Sequence, residues 1–275
     1  MKLSTVRLGQ NRTAAARLQK KHCVVLPYPD VGALIASGDD WWERAGADSG
    51  ERHRLDDISW APLIARPSRV IAVGANHAVR VRELGCPLPV APEFSVRNGG
   101  HVVVGAEDDI RVPAEGQEVL WGVELGVVIG RRARDVTART ALAHVAGYTV
   151  VNDIAVRNGA QDVPPAAVAT VVGPALVTTD EVPIGARGLT MSCLVDGRVR
   201  QKASTSELLF DVATVIAHVS RSVTLLPGDL ITTGTPTESG TGHEREEPPR
   251  SRTQVISVIR GVGELRNAVM RPSPQ

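Results

Sequence analysis

The stretch Glu118 to Gln161, EVLWGVELGVVIGRRARDVTARTALAHVAGYTVVNDIAVRNGAQ, constrains this chain more than any other. Val123 to Ile129 and Gly147 to Val151 read as strands, with a short helical segment at Thr137 to Val145 between them. Leu120 to Ile129 is near-continuously apolar, the pattern of a strand buried on both faces. Each strand carries one carboxylate against that background, Glu124 in the first and Asp153 just past the end of the second. A charge among apolar strand residues is costly to bury unless it is paired or bound to a cation. The Glu124–Asp153 pair therefore marks the place to look for a site.

Bulk properties exclude several classes. A chain of 275 residues can bury one good core, or one core and a small appendage. Its net charge of +1 gives no footprint for nucleic acid or other polyanions. Cys23, Cys86 and Cys193 are scattered, with neither metal spacing nor a disulfide framework, which predicts a reducing, cytoplasmic setting. No apolar run approaches the roughly 18 residues of a membrane span. No apolar segment follows Lys2 in the manner of a signal peptide.

Along the chain, Leu3 to Leu8 and Cys23 to Leu26 read as strands. Asp30 is an N-cap for Val31 to Ser37, and Asp39 or Asp40 for Trp41 to Ala45. Residues 1–65 thus form a small α/β appendage, joined to the region 66–275 through the polar, proline-marked stretch Glu51 to Ser68. Val70 to Val73 is a short strand, Asn76 to Leu84 a helical turn or two, and Pro87 to Pro92 a proline-rich loop. Leu189 to Val195 and Arg198 to Lys202 form a hairpin on an Asp196-Gly197 turn. Ser206 to Ser220 carries Leu208, Val212, Val215, Ile216 and Val219 at helical spacing. Leu226 to Asp229 turns into a strand at Leu230 to Thr232. Thr237 to Arg252 is rich in Gly, Glu, Pro and Arg, as mobile segments are. Val255 to Val269 is strand-like text broken at Gly261 and Gly263. The fold class is α+β and β-rich.

Three stretches together resemble the fumarylacetoacetate hydrolase family. Val123-Glu124-Leu125 to Gly130, followed by Gly147-Tyr148-Thr149 to Arg157, follows that family's Glu-x-Glu-Leu and Gly-Tyr-Thr-x-x-Asn-Asp pattern. Pro227-Gly228-Asp229-Leu230-Ile231-Thr232-Thr233-Gly234-Thr235-Pro236 and Gly74-Ala75-Asn76 match two further motifs. The resemblance covers about Pro67 to Val269. It implies a β-roll catalytic domain that dimerises and a pocket for a small oxygen-rich molecule. It also implies a cage of three carboxylates around Mg²⁺ or a similar ion, in which Glu124 and Asp153 are the second and third ligands. Thr235 and its backbone usually line the substrate pocket in that family.

The chain departs from the pattern at the positions that carry the chemistry. Residues two apart in a strand share a face, so Glu-x-Glu aims two carboxylates at one point, and here the first of them is Gly122. Glu118 shares that parity but lies about 20 Å from Glu124 along an extended strand and cannot stand in. Arg80 occupies the place of the family's general-base histidine, and arginine is not deprotonated in proteins. His77 lies nearby and substitutes only with a rearranged backbone, and Glu83 remains. No lysine lies between Asp153 and Gly173, where the family uses one against a developing oxyanion. The aligned position is Pro164. Arg97 falls near a second family lysine, Arg157 matches, and Gln161 is one position late. By this resemblance Glu83, Arg80, Arg157 and His77 are the catalytic candidates. Arg97, Asn152, Thr235, Trp121 and Gln161 are the substrate contacts, and Glu124 with Asp153 is a weak or vestigial metal position. A bland alternative is that Glu124 and Asp153 pair with arginines such as Arg157 in a buried network.

Three functions are compatible with these residues. The first is a non-hydrolytic enzyme of isomerase, decarboxylase, dehydratase or cyclase type. It would act on an oxo acid, a 1,3-dicarbonyl or a polyketide-like molecule, with no tightly bound metal and at most weak Mg²⁺. The second is a Mg²⁺-dependent carbon–carbon hydrolase or oxo-acid decarboxylase. The third is a non-catalytic binding or partner subunit. A homodimer with a small-molecule substrate is expected, without nucleic acid or membrane. Arginines lining an open pocket favour the first function, a metal titration tests the second, and a pocket filled by Trp121 favours the third.

Overall fold

The computed structural model describes residues 1–9, 12–47, 49–98, 103–112, 118–157, 166–237 and 252–271. Two sheets dominate among these residues. The larger runs Arg52–Arg54, His22–Val25, Thr13–Leu18, Lys2–Arg7, Ala166–Thr178, Val145–Arg157, Val123–Ile129, Leu230–Thr232, Arg69–Val73 and Phe94–Asn98. The smaller runs Arg198–Ser204, Thr190–Val195, Arg252–Ile259, Gly263–Met270 and Ile110–Arg111. Pairing is mostly antiparallel, with parallel contacts where Leu230–Thr232 meets Arg69–Val73, Gly263–Met270 meets Ile110–Arg111 and Ala166–Thr178 meets Val103–Val104. The architecture is mixed and strand-rich, as the sequence patterning predicts.

The Val123–Ile129 strand is buried at every position. Val123, Leu125, Val127 and Ile129 share one face and Glu124, Gly126 and Val128 the other, and the strand lies between Val145–Arg157 and Leu230–Thr232. It faces two apolar cores. Leu125, Val127 and Ile129 pack with Tyr148, Val215, Ile216 and Val255. On the other face, Val128 packs with Leu3, Leu34, Ile35 and Trp41. The strands of residues 1–65 extend the large sheet, because Lys2–Arg7 pairs with Ala166–Thr178 in the register Leu3↔Leu176.

Several local expectations change. The apolar run from Leu120 is two strands, Glu118–Leu120 and Val123–Ile129, separated at Trp121-Gly122. The second carboxylate strand is longer than its apolar core, spanning Val145–Arg157, so Asp153 lies within it, opposite Thr170. The stretch Glu51 to Ser68 contributes Arg52–Arg54 and Ser59–Trp60, paired with the strands of the first 25 residues. The strands Thr13–Leu18 and Ala166–Thr178 have no counterpart in the sequence reading.

The main helix begins at Val212 rather than Ser206. The Asp211 side chain caps it by accepting from Thr214 N–H at 2.8 Å, and Ser204 to Glu207 closes into a separate capping-box turn. A tertiary contact prevents the two from merging. The Leu209 N–H donates to the Asn76 carbonyl, and the Phe210 N–H donates to Asn76 Oδ1 at 2.8 Å, so neither is available to a helix. The segment Thr237 to Arg252 lies almost entirely outside the described residues.

Candidate active site

The strand-strand register brings the two carboxylates together. Val123 pairs with Asn152 and Glu124 with Val151, and the Asp153 N–H donates to the Gly122 carbonyl at 2.8 Å. Asn152 Oδ1 accepts from the Gly122 N–H at 2.9 Å, and its amide donates to Ser257 Oγ at 2.8 Å in the other sheet. Asn152 is therefore buried as a clamp on the Gly122 turn.

Two further loops close on the same point. Gly234 has φ +92° and its amide donates to Glu124 Oε2 at 2.7 Å. A Cβ at Gly234 would lie 2.6 Å from the Gly74 carbonyl, so the Gly74–Asn76 turn can approach only a glycine there. The Asn76 amide holds that approach by donating to the carbonyls of Thr233 at 2.9 Å and Phe210 at 3.0 Å. Gln201, from the smaller sheet, accepts from Val123 N–H at 2.9 Å. Its own amide donates to the Trp121 carbonyl at 2.8 Å, Thr235 Oγ1 at 3.0 Å and the Thr237 carbonyl at 2.5 Å. The Thr237 hydroxyl in turn donates to Glu83, which lies 3.5 Å from Arg80.

The electrostatics centre on Arg97. Its Nη1 and Nη2 donate to the two oxygens of Asp153 at 2.7 and 2.8 Å, a bidentate fork. The Thr170 hydroxyl donates to Asp153 Oδ1 at 2.8 Å. Burial works against the Arg97 charge, but the bond to Asp153 and the nearby Asp153 and Glu124 charges outweigh it and raise its pKa. Glu124 is buried, and desolvation together with the Asp153 charge pushes its carboxyl up to about 8. Burial thus favours the protonated form of Glu124 beside the arginine–aspartate pair.

Gly122 is packed closely against both carboxylate-bearing residues. A Cβ at this position would lie 3.6 Å from Glu124 Oε1, 3.5 Å from Thr235 Cβ and 3.0 Å from the Asp153 carbonyl. A side chain here would start within contact of the Glu124 carboxyl. A divalent ion finds a poor donor set without it. Mg²⁺ demands oxygen ligands in near-octahedral geometry, whereas both Asp153 oxygens receive the guanidinium. Among the described residues no cluster of three His, Cys, Asp or Glu side chains is placed to hold a metal. The residues present do not fit a tightly held divalent ion.

The remaining candidates sort by place. Arg157 is buried against Glu118, with Nη1 to Oε2 at 3.0 Å, so the arginine partner of Asp153 is Arg97 and not Arg157. The Trp121 side chain belongs to the main apolar core, and its carbonyl faces Gln201. His77 is buried at the start of the Ala78–Glu83 helix. Among the described residues its Nε2 has no hydrogen-bond partner, and desolvation lowers its pKa from 6.5 to about 4. Gln161 and Pro164 lie outside the described residues. Thr170 was not a sequence candidate. A hydroxyl within the apolar text Ala166 to Val172 was its only signal, and the Asp153↔Thr170 register gives it meaning.

Known proteins resemble this chain in sequence and in fold. Residues 69–270 match the fumarylacetoacetate (FAA) hydrolase C-terminal family. The mitochondrial oxaloacetate tautomerase FAHD2A of Bos taurus is 40% identical over 200 residues, which are 70% of this chain and 62% of that protein. The chain therefore matches less than two thirds of that relative's length. The crystal structure of 5-carboxymethyl-2-hydroxymuconate delta-isomerase from Mycobacterium smegmatis superposes with a TM-score of 0.77 at 28% identity, covering 100% of both chains. Maleylpyruvate hydrolase from Sphingobium sp. SYK-6, solved in complex with manganese(II) ion and pyruvate, superposes with a TM-score of 0.79 at 25% identity, covering 99% of this chain and 100% of that one. With the motifs, the register that assembles them and the whole-chain superposition in agreement, this chain belongs to the fumarylacetoacetate hydrolase family.

Proposed function

We propose that the protein is an isomerase of the keto–enol type, acting on a small 2-oxo acid without a tightly held metal. The observation that carries the reading is the Arg97–Asp153 fork set beside the buried Glu124 carboxyl. A guanidinium has five N–H donors, and Asp153 takes two. The others are suited to the carboxylate and enolate oxygens of an oxo acid, which a planar fork recognises bidentately. Glu124 Oε2 is held by the Gly234 amide, and Oε1 faces Gly122. In the proposed step Glu124 Oε1 gives its proton to the enol carbon, and the carboxylate so formed takes the proton from the enol hydroxyl. The double bond shifts from C=C to C=O, and no electron leaves or enters. Thr235 is held by Gln201, and Asn152 holds the Gly122 turn beside Glu124.

Hydrolysis finds less support in this geometry. Arg80 is paired with Glu83 and has no proton-accepting form, and His77 is buried with no partner for Nε2 among the described residues. Relatives named for tautomerase and isomerase activity point the same way. A homodimeric state belongs to the same proposal, supported by exposed Val79, Leu84 and Leu88 around Glu83. A cytoplasmic setting does too, supported by three free cysteines.

The test is enol-to-keto conversion of oxaloacetate and other 2-oxo diacids, followed by enol absorbance in the presence of a chelator. Catalysis should survive chelation and fall on the order of 100-fold or more in Arg97→Ala and Glu124→Gln, the scale of an acid–base group. Failure to accelerate ketonisation of any 2-oxo acid would refute the reading.

A further inference from the structure

The mismatch with a divalent ion has two contributors, and the sequence motif names only one. Gly122 removes a ligand, but two carboxylates with water and substrate suffice for many Mg²⁺ sites. Arg97 is the second contributor. Its fork covers both oxygens of Asp153 at 2.7 and 2.8 Å, and Thr170 orients the same carboxylate at 2.8 Å. The Arg97 side chain is 23% exposed and Asp153 15%, so the pair is screened from water more than a surface bridge is.

We propose that Arg97 is a tethered cation that occupies the electrostatic place of the metal, so that guanidinium and divalent ion exclude one another at Asp153. Two like charges cannot share one carboxylate at contact distance in a half-dry site without strong repulsion. The arginine is held by the chain at no cost in free-ion concentration, whereas an arriving ion must first displace it. The state of the site then no longer depends on the supply of metal. This inference rests on the Arg97–Asp153 geometry alone and holds whichever substrate is used.

The probe is Mn²⁺ alone, titrated into full-length, chelator-treated protein and followed by the loss of the free-ion electron paramagnetic resonance signal, with calorimetry in parallel. Wild type should bind weakly. Arg97→Met should bind on the order of 10–100-fold more tightly, the scale on which partners of ligating carboxylates move metal affinity. Adding Asp153→Asn to that variant should abolish the gain and so place the ion at Asp153. Gly122→Glu with Arg97→Met should bind more tightly than either single variant. Should Arg97→Met fail to fold, Arg97→Gln keeps a hydrogen-bonding end without the charge and carries the same expectation. Equal Mn²⁺ affinity in wild type and the Arg97 variants would overturn the proposal, as would a gain that survives Asp153→Asn. Because the readout is binding, its failure is distinct from a failure to find tautomerase activity.

Discussion

Lowering the pH should cost this protein stability through one buried imidazole, and the size of the effect follows from the structure. His77 is buried with no partner for Nε2 among the described residues, and desolvation takes its pKa from 6.5 to about 4. The sign is set by which state binds the proton. Between those two values the unfolded chain is protonated at His77 and the folded chain is not, so acid favours unfolding. The contribution is intact above pH 6.5 and is lost progressively as pH falls towards 4. Each pH unit in that window costs about 1.4 kcal/mol, so moving from pH 7.5 to 5 removes about 2 kcal/mol through this group. Glu124 acts in the opposite sense, since its raised carboxyl binds a proton in the folded state first. The comparison must therefore be made against a variant. Urea unfolding of wild type and His77→Gln at both pH values isolates the histidine, because all other groups cancel. The variant should lose about 2 kcal/mol less than wild type over that interval. Parallel losses would refute the burial argument and leave His77 as a solvated, titrating group beside the site.

Other perturbations have equally defined outcomes. Gly234→Ala places a methyl 2.6 Å from the Gly74 carbonyl at φ +92° and should cost about 1–3 kcal/mol in urea unfolding, with loss of turnover. Arg69→Ala leaves the fully buried Asp229 without the partner that donates to it at 2.6 Å, and should cost about 3–5 kcal/mol by the same measurement. Gly122→Glu alone should raise Mg²⁺ affinity in a calorimetric titration yet produce no cleavage of an acylpyruvate. Hydrolytic turnover in that single variant would contradict the role given to the missing histidine.

Much of the molecule was legible as text. Buried strands announce themselves by near-continuous apolar runs, so Val123–Ile129 is readable to the residue. The Asp196-Gly197 hairpin and the Asp30 cap were equally plain, because turn and cap chemistry is local. Absences were legible as well. A glycine side chain cannot ligate and an arginine cannot accept a proton wherever the fold puts them, so Gly122 and Arg80 argue against hydrolysis from the sequence alone.

What only the tertiary structure decided was partnership. Sequence proximity in the motif suggested Arg157 for the carboxylates, but the antiparallel register sets Arg157 against Glu118, and the distant Arg97 reaches Asp153. Thr170 and Gln201 became site residues for the same reason, through pairings across strands and sheets that no local period encodes. The helix lost its first residues to Asn76, more than a hundred positions away. Propensity and periodicity act over a few residues, whereas the identity of a buried charge's counter-ion is settled by which strands lie side by side.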